Sequence, residues 1–110
     1  MGLDQYAFTR KNDTDEPVQI MYWRKHANLE GWMSDLYHRR GGEGDFNCID
    51  LRLFKEDIEK LEREFRDLEV SEGFFWGQSR PEQNDDTLVF IQKAYEAIEQ
   101  GHQVIYHSWW

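Results

Sequence analysis

His26, His38, Cys48, His102 and His107 are the side chains of this 110-residue chain best suited to hold a metal, and Cys48 is its one thiol nucleophile. Their spacing argues against both uses. No pair stands at CxxC, HxxxH or HExxH distance, so a tight metal site would have to be assembled wholly by the fold. A cysteine nucleophile needs a polarising base beside it, and Cys48 falls in a segment that reads as a strand, where a core thiol is the plainer expectation. No phosphate-binding loop, dinucleotide fingerprint, nucleophile elbow or EF-hand occurs. Among 22 acidic residues no carboxylate pair is marked out for hydrolysis. We therefore expect no metal, no cofactor and no catalytic residue, and binding rather than catalysis.

Rings and cations are what the chain offers instead. Tyr22-Trp23-Arg24-Lys25 sets two rings beside two cations, Phe74, Phe75 and Trp76 stand consecutively between Gly73 and Gly77, and Tyr106-His107-Ser108-Trp109-Trp110 adds three more rings. A large ring is worth roughly 1.5–3 kcal/mol when fully buried, so these segments must pack under the protein's own elements or meet something else. If they converge on a surface, Tyr22, Trp23, Arg24, Lys25, Phe74, Phe75, Trp76 and Trp109 form an aromatic site with a cationic margin, the composition of interface hot spots and of ligand pockets. If they converge inside, they are core, with Trp110 packed to pin the last strand.

Bulk properties narrow the partners. The formal net charge is −9, from 22 acidic and 13 basic side chains, which disfavours direct nucleic-acid binding, since affinity for phosphates comes from lysines and arginines. The acidic excess is spread along the chain without a long single-sign block, so mimicry of nucleic acid stands lower than a solvated acidic surface. No apolar run approaches the roughly 20 residues that cross a bilayer, and the first residues lack the regions of a signal peptide. One cysteine excludes an internal disulfide and suits a reducing cytoplasm. The length fits one domain over residues 1–110.

The elements that must position these residues follow from periodicity. Leu3 to Thr9 and Val18 to Trp23 alternate as strands around a polar turn at Asn12-Asp13-Thr14-Asp15. A helix is expected at about 24–39, ended by Gly41-Gly42, with two local faults: Arg24 and Lys25 in its first turn, where the dipole disfavours cations, and Gly31 within it. Phe46 to Leu53 alternates as a third strand. Ile58, Leu61, Phe65 and Leu68 mark a helix over 55–69, and a further helix runs over 81–100 between Pro81 and Gly101. The segment 103–109 alternates as the last strand. The order ββαβααβ predicts an α+β fold, a small mixed four-stranded sheet covered by three helices.

Six blocks taken in order carry a resemblance. They are Met1-Gly2-Leu3-Asp4-Gln5-Tyr6, Tyr22-Trp23-Arg24-Lys25, Trp32, Asn47-Cys48, Gly73-Phe74-Phe75-Trp76-Gly77 and Tyr106-His107-Ser108-Trp109. Together they resemble a family of small acidic bacteriophage and prophage proteins that begin MGLD-x-Y, carry YWRK and a GFFFG-like loop, and close on an aromatic-Ser-Trp end. Trp76 stands where that family more often has Phe, and Gly31 where a helix-compatible residue is usual. The resemblance implies a phage origin and residence in the host cytoplasm, and supplies no mechanism. The expectation is a phage-encoded binding protein whose partner is a host protein. The rivals are a small-molecule or nucleotide-binding protein or enzyme using an aromatic pocket, and an acidic nucleic-acid mimic.

Overall fold

The computed structural model describes residues 2–65 and 83–110. Four strands, β1 (Asp4–Arg10), β2 (Val18–Arg24), β3 (Ile49–Leu53) and β4 (Gln103–Trp109), form one sheet in the order β2-β1-β4-β3. Three helices, α1 (Ala27–Arg39), α2 (Lys55–Glu64) and α3 (Gln83–Glu99), complete the order ββαβααβ. Every strand pair is antiparallel, which corrects the expected mixed sheet: each connection returns the chain in the opposite sense, and no βαβ crossover occurs to make neighbours parallel. The Gly73–Gly77 loop, the helical stretch expected at 66–69 and the Pro81 helix start lie outside the described residues.

Alternation along the strands sorts the sheet into two faces. Ala7, Trp23, Leu51, Leu53, Val104 and Tyr106 point inwards and share one core with Leu29, Trp32, Met33 and Leu36 of α1, Ile58 and Leu61 of α2, and Phe90, Ile91 and Ala94 of α3. The same register puts Asp4, Tyr6, Phe8 and Arg10 of β1 on the opposite face, beside their partners on β2 and β4. A bulge between Ala7 and Phe8 leaves Ile20 unopposed and breaks the hairpin's register once.

Helix limits differ from the periodic expectation in ways that matter for the site. Strand pairing continues to Arg24, opposite Asp4, and Lys25 turns the chain at φ 56. Neither cation therefore lies in the first turn of α1, and the expected clash with the helix dipole does not arise. At its other end α1 stops as expected: Gly41 adopts φ 90, and the Gly42 N–H donates to the Tyr37 carbonyl at 3.0 Å. The third strand starts at Ile49 rather than Phe46. Phe46 turns into the core, 2% exposed, and Cys48 at φ 59 donates its N–H to the Ser108 carbonyl. Cys48 is thus an exposed free thiol, and the expected core thiol is corrected.

Side chains also reach the main chain of both edge strands. Lys93 Nζ donates to the Ile20 carbonyl at 3.1 Å and Gln83 Nε2 to the Arg24 carbonyl at 2.8 Å, both from α3 onto β2. Arg40 Nη1 donates to the Arg52 carbonyl of β3 at 2.6 Å. Such occupation blunts strand margins that would otherwise recruit another strand. No helix among the described residues is long and apolar enough to cross a membrane.

Candidate functional site: an open aromatic sheet face

The described helices pack on one side of the sheet, and its other side presents rows of paired side chains. Arg24, Asp4 and Trp109 form the first row, Tyr22, Tyr6, His107 and Asp50 the second, and Gln19, Phe8, Ile105 and Arg52 the third; the face is open at Arg24, Tyr22 and Trp109, half-buried at Tyr6 and Phe8, and closed at Ile105, which is buried. Trp109 is 51% exposed and Tyr22 42%. Tyr6 and Phe8, at successive outward positions of β1, lie at 6.1 Å between centroids with their planes 20° apart, and Tyr6 meets Tyr22 at 5.2 Å. Tyr6–Tyr22 is a cross-strand pair, the kind that stabilises a sheet. Polar contacts fix its margins: Tyr22 Oη donates to Asp4 Oδ1 at 2.6 Å, which with burial pushes the Tyr22 phenol up to about 12. His107 Nδ1 and Asp50 Oδ1 stand 2.7 Å apart. The ring of Phe54 holds the Arg52 guanidinium at 4.8 Å and that of Arg40 at 5.2 Å, and Arg40 pairs with Asp57, which also caps α2 by accepting the Phe54 N–H.

The residues singled out in the sequence divide among three places. Tyr22, Arg24 and Trp109 share the open face. Trp23, one residue on from Tyr22, falls on the inner face at 2% exposure and meets Phe90 edge-on at 5.2 Å; it is core, and its buried indole N–H has no hydrogen-bond partner among the described residues. Lys25 is exposed beyond the end of β2. Phe74, Phe75 and Trp76 lie outside the described residues. Tyr6, Phe8 and His107 were missed as site residues, although the alternation that placed Tyr6 and Phe8 on one face of β1 was legible.

Beneath the inner face runs a polar cluster that sequence reasoning also missed. Glu30, fully buried in the first turn of α1, accepts from Tyr106 Oη at 2.6 Å, Ser108 Oγ at 2.9 Å and Trp110 Nε1 at 3.3 Å. Tyr106 Oη accepts in turn from Gln5 Nε2 at 2.9 Å, and Gln5 clasps the main chain of His26, its Nε2 donating to the carbonyl and its Oε1 accepting from the N–H. Thr87 donates its hydroxyl to the Gln83 carbonyl, so it accepts at 3.2 Å from His26 Nε2, which must carry a proton. Trp110 is anchored as well: its N–H donates to Asn47 Oδ1, Asn47 Nδ2 donates to its carbonyl, and its indole also donates to the Phe46 carbonyl. The signal available was spacing, since Glu30 stands three residues from both Ala27 and Met33 on the helix's apolar stripe. With Glu30 fully buried, the cluster ties α1 to β4 and is out of a substrate's reach.

Compared with known protein families, curated proteins and solved structures, the chain matches none. The functional reading therefore rests on the open face, and the buried cluster bears on stability. Among the described residues no group of three or more His, Cys, Asp or Glu side chains is placed to hold a metal.

The cluster makes a pH prediction whose two parts oppose. Burial pushes the Glu30 carboxyl up to about 7 against the lowering by its three donors, so the folded state holds that proton more tightly than the unfolded chain. Its contribution is full below pH 4.5 and is lost as pH rises to about 7. Burial pushes His26 down to about 4; its contribution is full above pH 6.5 and is lost as pH falls towards 4. The slopes nearly cancel in their shared window. In Glu30→Gln only the histidine's part remains, so the parent's advantage over the variant should shrink by roughly 3 kcal/mol across the carboxyl's window. Urea unfolding at half-unit pH steps checks this; parallel profiles for parent and variant would refute it.

Proposed function

We propose that the chain is a phage-encoded protein that acts by binding, with a protein of the host cell as its partner and the open sheet face as its docking surface. The phage origin rests on the six-block resemblance. The docking reading rests on one observation: Tyr6, Phe8, Tyr22 and Trp109 stand together on the side of the sheet away from the described helices, with Arg24 at their edge. Rings and arginines are the residue types that dominate interface energetics. Both edge strands have carbonyls already engaged by side chains, which favours recognition through the face.

Photo-crosslinking tests this. With p-benzoylphenylalanine at position 109, one host protein should be captured from lysate, and the same residue at position 59 on α2 should not capture it. Arg24→Ala should cut that capture about fivefold or more, the scale of a hot-spot residue, with an unchanged melting temperature, because Arg24 is exposed. Capture that is equal from both positions, or a lowered melting temperature with capture per folded molecule unchanged, would refute the assignment of the face.

A further inference from the structure

Charge is divided unequally between the two layers. The described helices carry eleven acidic and five basic side chains, a formal −6, whereas the strands carry Asp4 and Asp50 against Arg10, Arg24 and Arg52, a formal +1. All five ionised strand side chains sit on the outward register positions. Within a chain of net charge −9, the open face is therefore the place where a negative partner meets least repulsion. Its cations are all arginines, which pair bidentately with carboxylates and stack on rings, unlike lysines. Arg24 and Arg52 stand at opposite edges of the sheet, on β2 and β3, with Tyr6, Tyr22, His107 and Trp109 on the outward positions between and beside them.

From this arrangement we infer that the open face recognises an acidic protein segment, one that seats apolar or aromatic side chains on the Tyr6–Tyr22–Trp109 rings and carboxylates on Arg24 and Arg52. The inference rests on the docking reading above and adds the partner's chemistry. A second copy of this chain fits less well face to face, since like faces would meet with like net charge. A single-stranded nucleic acid would find rings to stack on, but a polyphosphate approaching a −9 molecule is repelled at long range. A protein segment with a few carboxylates feels the local arginines without that accumulated repulsion.

The probes are a random glutamate–tyrosine copolymer, a lysine–tyrosine copolymer and oligothymidine, each titrated into the isotopically labelled protein at low salt and followed by backbone amide shifts. The glutamate–tyrosine copolymer should move the amides of Tyr6, Tyr22, His107 and Trp109, and its affinity should fall about tenfold or more in Arg24→Glu/Arg52→Glu. Arg24→Lys/Arg52→Lys should recover part of that loss. If the double reversal fails to fold, Arg24→Glu alone carries the test, with a smaller loss in the same direction. Occupation of the face by the lysine copolymer would overturn the acidic-partner inference while leaving the docking reading standing. Displacement of the glutamate copolymer by oligothymidine would overturn a protein partner in favour of nucleic acid. Shifts confined to the helices, or no shifts with any probe, would overturn the inference and the docking reading together.

Discussion

Removal of residues 104–110 is expected to abolish cooperative unfolding. β4 is not a margin of the sheet but its second central strand, paired over its whole length with β1 and over Val104–Ser108 with β3. Without it β3 has no partner and β1 keeps only β2. Val104, Ile105 and Tyr106 are all buried, and at roughly 1.5–3 kcal/mol each their burial alone is comparable with the roughly 5–15 kcal/mol that separates a small domain from its unfolded state. The deletion also strips Glu30 of Tyr106, Ser108 and Trp110. Thermal unfolding followed by near-ultraviolet circular dichroism should show a sloping baseline with no transition; a sigmoidal melt near the parent's temperature would mean that the sheet does not depend on β4.

Glu30→Ala should destabilise the fold by roughly 2–5 kcal/mol at pH 6, on the scale of truncating a core side chain. It orphans the buried hydroxyls of Tyr106 and Ser108, each a donor without an acceptor at roughly 1–3 kcal/mol. Trp110 Nε1 keeps the Phe46 carbonyl and adds less. Against this stands relief from holding a buried carboxyl, which is why the effect is placed below the sum. Tyr106→Phe should be costly too, leaving Gln5 Nε2 short of one acceptor, and the double variant should cost clearly less than the two singles together, because both break one network. Urea midpoints for the four proteins measure the coupling. Strict additivity would show that Glu30 and Tyr106 are energetically independent despite their 2.6 Å contact.

Strand alternation made β1, β2 and β4 readable, and the inward set Val104, Tyr106 and Ser108 follows from it directly. The start of α1 was not readable. Its N-cap position is taken by His26, whose main chain is held by Gln5 from 21 residues away, so no Ser, Thr, Asp or Asn cap advertised the boundary. Lys25 and Cys48 adopt left-handed conformations that glycine or asparagine would have signalled. Arg24 looked like a helix fault because its strand pairing with Asp4 is a tertiary fact. Of the ring segments, the Tyr22-Trp23 step sends one ring outside and the next inside, so that contiguous run is not one site. A buried Glu30 contradicts the usual placement of carboxylates, and only its spacing hinted at it.

The central β1–β4 pairing has a consequence for how the chain is made. Asp4 lies opposite Trp109, so β1, made before the other three strands, completes its pairing only when residues about a hundred positions later have emerged. Until then the β1–β2 hairpin must persist with one flank bare and its apolar side without α3 or β4 to cover it. Contacts this distant in sequence slow folding, and a hairpin in that condition is a target for chaperones and for its own copies on neighbouring ribosomes. Translation speed and chaperone supply then act on the yield of folded protein alongside the stability of the finished sheet.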